Sequence, residues 1–262
     1  MLSKNQLKHV NALKQKKFRV EYGLFIAEGI KIVPELLQSK IKVKQLFATA
    51  DFLNKTKIEK SIECIEVKIN ELERLSALTT PNEVLAVCEI PKYDLNYNEL
   101  DDKLTLVLDN IKDPGNLGTI SRIADWFGID SIICSSETVD AFNPKVVQAT
   151  MGSIARIKLH YIDLVEFFEE LKIAKAKVNL PIYGALIEGT AIYNKQLTAN
   201  GLIIIGNESK GISDNIASYI TDKISIPSFS HFKSAEGEAE SLNAAIATSI
   251  ICSEFRRRIS AT

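Results

Sequence analysis

LTLVLDNIKDPGNLGTISRIADWFG, residues 104–128, decides the fold. Its first six residues are a continuous apolar run closed by Asp109, the pattern of a strand buried on both faces of a parallel sheet. Asn110 to Gly118 follow, dense in Asn, Asp, Pro and Gly, and read as a loop. From Thr119 onward, Ile120, Ile123, Ala124 and Phe127 recur at helical spacing. A strand, a loop and a helix in that order make one βα unit, and its loop stands where parallel sheets hold ligands. The glycines Gly115 and Gly118 are spaced GxxG rather than GxGxxG, which argues against a nicotinamide dinucleotide. Two glycines in such a loop are, alone, more often a tight turn than a site.

The same alternation continues on both sides. Downstream, 131–136, 154–161, 181–187, 201–206 and 223–227 read as strands. Helices fall at 143–152, with Asn143 as cap and Pro144 in the first turn, near 163–177, and over 241–258. Upstream, 44–49, 64–68 and 83–90 read as strands, 70–78 as a helix, and 27–39 as a helix with Pro34 at its start or at a kink. The polar stretch 90–103, carrying Pro91, has no apolar period. The expected organisation is therefore a small α/β domain over 1–90, a linker over 91–103, and a larger α/β domain with a mostly parallel sheet over 104–262.

The 262 residues carry a formal net charge of −1, which by itself does not suggest a nucleic-acid partner. The distribution does, because residues 1–60 alone sum to +8. A basic front on an acidic body suits a module that meets phosphates, with Lys16, Lys17 and Arg19 as candidate RNA contacts. The plainer reading is a set of solvated helix faces. The N-terminal twenty residues are basic and poor in acids, as transit peptides are, but Leu2, Leu7, Val10 and Leu13 fall at near-helical spacing and read as an ordinary first helix. No stretch is apolar for long enough to span a bilayer. Cys64, Cys88, Cys134 and Cys252 are scattered without a CxxC pair, so reduced thiols in a cytoplasmic protein are expected, with no zinc site.

Three strings carry possible chemistry. In 110–122, N-x-K-D-P-G-N-x-G-T-I-x-R, Arg122 falls on the helix side opposite Ile120 and Ile123, where it could equally serve a surface salt bridge. In IIIGNESKGIS (203–213), an apolar strand runs into Gly206, Asn207 and Glu208. A carboxylate there is costly unless paired or bound to something, although a helix-capping role fits as well. The third string is ISIP followed by a polar loop and ESLNAAIATSI (240–250), in which Ser241 and Asn243 could simply be caps. The helix after them is apolar almost all round, consistent with burial on several sides or with a subunit interface.

Together these strings resemble the three ordered motifs of the SpoU (TrmH-like) RNA ribose 2′-O-methyltransferases of the SPOUT class, over roughly residues 104–258. FRVEYGLFIAEGIKIVPELL (18–37) and LTTPNEVLAV (78–87) resemble that family's L30e-like substrate-binding domain. The resemblance implies a trefoil-knotted α/β domain, S-adenosylmethionine as methyl donor, no metal, and a homodimer joined through the C-terminal domain. It implies transfer to a ribose 2′-hydroxyl of ribosomal or transfer RNA. Carried over by motif, Gly206, Ile226 and Leu242 hold the cofactor, and Asn110, Arg122, Glu208, Ser241 and Asn243 form the catalytic cluster. Arg122 would act electrostatically rather than as a base, since a guanidinium keeps its proton above a pKa of about 12; Glu208 would orient Arg122 or take the proton. One departure stands out: residues 228–240 make a longer loop than the family's third motif, and His231 and Glu236 are not placed in the site. Two other readings remain, base methylation by another SPOUT branch and a catalytically silent RNA-binding or ribosome-assembly factor.

Overall fold

The computed structural model describes residues 2–80, 82–174, 180–229 and 241–259. They form two compact units. The first comprises residues 1–92 with 140–156, and the second 93–139 with 157–262.

The first unit opens with a helix, Lys4–Ala12, closed at its start by a capping box between Ser3 and Gln6. A second short helix, Lys16–Tyr22, stops at Gly23, whose φ of +64° suits glycine. Four strands follow: β1 (Leu24–Glu28), β2 (Val43–Ala48), β3 (Glu63–Glu66) and β4 (Val84–Glu89). Their order is β1-β4-β2-β3, antiparallel except for the parallel β2–β3 pair. The helix expected over 27–39 does not begin at 27, because a strand, β1, occupies the chain as far as Glu28. Leu24–Glu28 pairs with residues 85–89 of β4, Gly29 turns the chain at a φ of +111°, and the helix is confined to Ile32–Leu37. Pro34 stands in its first turn, where an N–H has no intrahelical partner to lose.

The segment 140–156 belongs by sequence to the second part of the chain but packs with the first unit. Its helix, Pro144–Thr150, is capped by Asn143 as expected. Val147 and Ile154 are buried in one apolar cluster with Phe25, Ala27 and Leu46, and that burial draws the segment there. Likewise 93–103 is not a free linker. Leu100 is buried, and Leu95 and Tyr97 pack against the core of the second unit.

The second unit is a six-stranded, wholly parallel sheet ordered β10-β8-β9-β5-β6-β7. The strands are β5 (Leu104–Leu108), β6 (Ser131–Ser135), β7 (Lys158–Ile162), β8 (Ile182–Ala191), β9 (Gly201–Ile205) and β10 (Asp222–Ser225). Every residue of β5 and β9 is buried, as continuous apolar runs at the centre of a parallel sheet should be. The chain runs outward from β5 through β6 to β7, then crosses to β8 and returns to β9 on the other side of β5. The loops after β5 and β9 therefore flank the point where the winding reverses, the position where such sheets bind ligands. β8 pairs with β9 only as far as Gly184, and at Thr190 and Ala191 it pairs with β10 instead. Beyond Ile204 the end of β9 is thus no longer laddered to β8.

Candidate active site

The end of β5 and the loop after β9 are tied together by a buried carboxylate. Asp109, 6% exposed, accepts the backbone N–H and the hydroxyl of Ser213 through one oxygen, both at 2.7 Å. Hydrogen bonds to a charged acceptor are among the stronger ones, so this pair holds the loop in place. Inside that loop Asn207 and Gly211 exchange two backbone hydrogen bonds of 2.9 Å. Gly206 lies under the turn they make. A Cβ there would stand 2.2 Å from the Gly211 carbonyl carbon and 2.3 Å from the Ile212 nitrogen. Only glycine lets the strand end and the turn approach this closely.

The helix following β5 begins earlier than the sequence suggested. It spans Pro114–Trp126, so Gly115 and Gly118 lie inside it rather than in the loop. Asp113 caps it, accepting the N–H of Asn116 at 2.8 Å. A Cβ at Gly115 would meet the Asp113 oxygen at 2.9 Å, so a larger residue there would make the capping side chain shift.

Three elements then meet in a chain of side-chain hydrogen bonds. Asn243, one residue before the Ala244–Ile259 helix, donates to Asn116 Oδ1 at 2.9 Å, while its own oxygen accepts the N–H of Ala245. Asn116 donates to Glu208 Oε1 at 2.7 Å. Asn207 donates to the Asn110 carbonyl at 2.8 Å and, at 3.4 Å, to Glu208 Oε2. Asn110 sits in the left-handed region at φ +63°, its N–H donating to Ser135 Oγ. Its side-chain oxygen is buried and meets no donor among the described residues. A buried acceptor without a donor is costly, and such atoms concentrate where function holds them.

Of the expected catalytic set, the structure thus joins Glu208 and Asn243 through side chains and brings in Asn110 through its carbonyl. Asn116, 8% exposed, is the link between them and was not singled out from the sequence. Its signal was present. Asn116, Ile120 and Ala124 recur every four residues and are all buried, so an amide occupies the apolar stripe of the helix. Arg122 is exposed on the other side, as expected, and makes no hydrogen bond or ion pair with any described residue. The expected orientation of Arg122 by Glu208 does not hold in this structure, because Glu208 is engaged by Asn116 and Asn207. Ser241 is exposed two residues before Asn243. Ile226 is half-buried just past β10, and Leu242 is 48% exposed. His231 and Glu236 lie outside the described residues.

The expected RNA contacts divide. Lys16 and Lys17 are exposed, but Arg19 is only 2% exposed. Its Nε and Nη2 donate to one oxygen of Asp140 at 3.0 and 2.6 Å, and Nη1 donates to the Leu13 carbonyl. Arg19 is a structural cation, not a phosphate contact. Arg19→Ala is expected to cost about 3 kcal/mol of stability in urea unfolding, because it leaves a carboxylate facing an apolar hole.

Among the described residues no group of three His, Cys, Asp or Glu is placed to hold a metal ion. No described helix is long and apolar enough to cross a membrane. Burial pushes the Cys88 and Cys134 thiols well above their ordinary range and raises Cys252 to about 12, so these sulfurs are poor nucleophiles.

An α/β sheet with a hydrogen-bonded Asn–Glu chain at its switch point has polar groups where such sheets bind ligands, and the comparisons give the class. Residues 103–253 match the SpoU rRNA methylase family, and residues 4–86 match an MRM3-like substrate-binding domain. The chain belongs to the SpoU rRNA methylase family, and is an S-adenosylmethionine-dependent RNA methyltransferase. It is 30% identical to the 23S rRNA (guanosine(2553)-2′-O)-methyltransferase RlmP of Bacillus subtilis over 97% of both chains. A structure from Porphyromonas gingivalis assigned to the TrmH family of RNA methyltransferases superposes with a TM-score of 0.87 at 36% identity, covering 98% of this chain and 99% of the other. The SpoU methyltransferase AviRb of Streptomyces viridochromogenes, solved with S-adenosylmethionine, gives 0.81 at 25% identity, with 98% and 99% covered.

Proposed function

We propose that this protein methylates a ribose 2′-hydroxyl of ribosomal RNA, with Arg122, Glu208, Asn116 and Asn243 as its working polar residues. The observation that carries the residue assignment is the Asn243–Asn116–Glu208 chain, which joins all three sequence motifs at the switch point of the sheet. Ribosomal rather than transfer RNA is favoured by the full-length likeness to RlmP.

The residues present suit the methyl donor. Gly206 keeps the end of β9 free of a side chain, β8 has parted from β9 there, and half-buried Ile226 and exposed Leu242 offer apolar surface for a nucleoside. The orphaned Asn110 oxygen is an acceptor for a polar hydrogen in the same region. When bound, S-adenosylmethionine supplies a methyl group already activated by its sulfonium, so no metal is required.

What the chain must supply is help for a poor nucleophile. With the donor bound, its methyl group would pass to the ribose oxygen, and the chain's own task would be to let the hydroxyl proton leave. Arg122 follows Gly115, Gly118 and Thr119 on one helical face. Helical side chains lean toward the N-terminus, so its guanidinium is directed over small residues toward the loop after β5. A cation there stabilises negative charge developing on the hydroxyl oxygen, or grips the neighbouring phosphate. Glu208 Oε1 is held by Asn116, whereas Oε2 has, among the described residues, only the 3.4 Å contact with Asn207. Oε2 is the atom available to receive the proton. Asn116 and Asn243 position Glu208 and are not themselves transfer groups.

Incubation with radiolabelled S-adenosylmethionine and total RNA tests the reading, with label expected on ribose. Label on a base would favour another SPOUT branch, and no label a silent RNA-binding factor. A homodimer in the cytoplasm belongs to the same proposal. Trp126, 85% exposed, and Ile246, 55% exposed, stand on two helices of the second unit that pack together, and large apolar groups so exposed suit an interface. Sedimentation at twice the chain mass is expected, and Trp126→Glu should halve it.

A further inference from the structure

The two N-terminal helices carry an aromatic stack outside the core. Val10 and Leu13 bury themselves in an apolar cluster with Phe47 and Leu85. His9, Tyr22 and Phe18 lie outside that cluster and stack on one another. The His9 and Tyr22 ring centres are 5.3 Å apart with planes 29° from parallel. Those of Tyr22 and Phe18 are 5.9 Å apart at 26°. Tyr22 is nevertheless 42% exposed. Lys17 places its ammonium 5.7 Å from the Phe18 ring centre, within cation–π range.

The charge around the stack is one-sided. Residues 2–22 hold Lys4, Lys8, Lys14, Lys16, Lys17 and Arg19 against a single acid, Glu21. Two of these cations have structural duties: Arg19 is bound to Asp140, and Lys14 donates to the Ser76 carbonyl at 2.7 Å. Lys4, Lys8, Lys16 and Lys17 are exposed and form no ion pair with any described residue. Near-parallel rings at the surface, flanked by lysines lacking carboxylate partners, match what unstacked nucleotides require. A base can extend the stack while its phosphates meet ammonium groups. A duplex offers phosphates but no open base face.

We infer that His9, Tyr22 and Phe18, with Lys16 and Lys17, form a platform that captures an unpaired nucleotide of the RNA substrate. The inference rests on RNA being that substrate, and it adds which structural form of RNA the first unit selects.

The test uses the full-length protein and two probes, a single-stranded RNA dodecamer carrying one 2-aminopurine and a hairpin in which that base is paired. Wild-type protein quenches the 2-aminopurine of the single strand and binds it more tightly than the hairpin. Tyr22→Leu, which keeps an apolar side chain but removes the ring that joins His9 to Phe18, dismantles the stack, abolishes the quench and weakens single-strand binding about tenfold, the scale of one base–aromatic stack. Tyr22→Phe restores both. Lys16→Ala with Lys17→Ala lowers the slope of log Kd against log salt by about 1.4 for the single strand. Absence of quenching by wild-type protein, unchanged binding by Tyr22→Leu, or equal weakening on both probes would overturn the platform. Methyl transfer to total RNA, measured on the same preparations, separates the two ideas. Transfer without a Tyr22 effect retires the platform alone, whereas a working platform without transfer retires the enzymatic reading.

Discussion

Arg122→Ala lowers methyl transfer by on the order of 10³-fold, the typical consequence of removing a group that stabilises charge formed only in the transition state. The side chain is exposed and without partners among the described residues, so folding stability should stay within about 0.5 kcal/mol of wild type. S-adenosylmethionine affinity, measured by calorimetry, should be retained, because the residues proposed to hold it, Gly206, Ile226 and Leu242, form no hydrogen bond or ion pair with Arg122 among the described residues. Arg122→Lys is expected to recover only part of the rate, since an ammonium lacks the planar fork that meets two oxygens at once. Single-turnover kinetics with saturating RNA provides the measurement. Turnover near the wild-type rate in Arg122→Ala would remove Arg122 from the chemistry.

Asn116→Ala acts differently, through both fold and rate. It deprives Glu208 Oε1 of its 2.7 Å donor and Asn243 of its acceptor in one step. Glu208 is half-buried and Asn243 exposed, so water replaces part of what is lost and the cost is about 1 kcal/mol, which thermal unfolding will read as a slightly lowered Tm. The catalytic loss should be roughly 100-fold and fall on kcat rather than KM, because the variant misplaces the proposed proton acceptor without removing a proposed RNA contact. A loss confined to KM would mean that Asn116 serves RNA binding instead. A double-mutant cycle with Glu208→Gln should show strong coupling, as expected of residues sharing a hydrogen bond.

Much of the fold was legible because its signals are local. The apolar runs 104–109 and 201–206 could only be strands buried on both sides, and β5 and β9 are the two central neighbours of the sheet. Asn143 and Pro144 announced a helix start, and the structure caps that helix as expected. Where the reading failed, the deciding contact was distant. Leu24–Glu28 is a strand because it pairs with Val84–Glu89, some sixty residues away, and nothing within 18–37 reveals that partner. Helix 144–150 lies in the first unit because Val147 and Ile154 find their apolar neighbours there, while local pattern records only that they are apolar.

The site shows the same division in sharper form. Sequence by itself determined which residue types stand at the strand ends: a glycine where the chain turns tightly, a carboxylate beside it, an arginine on the exposed side of a helix, and a Ser-Leu-Asn before the last helix. These follow from order along the chain, and their resemblance to the family's three motifs implied the enzyme class. Only the tertiary structure decided who holds whom. Glu208 is bound by Asn116 rather than by Arg122, 92 residues separating the bonded pair in sequence. Arg19, counted at first among the cations facing solvent, is buried against Asp140, 121 residues away. Charge and polarity are properties of a residue, but burial and partnership depend on which distant segments fold against it. The sequence therefore named the functional groups, while packing determined which of them remain available to RNA and which hold the structure together.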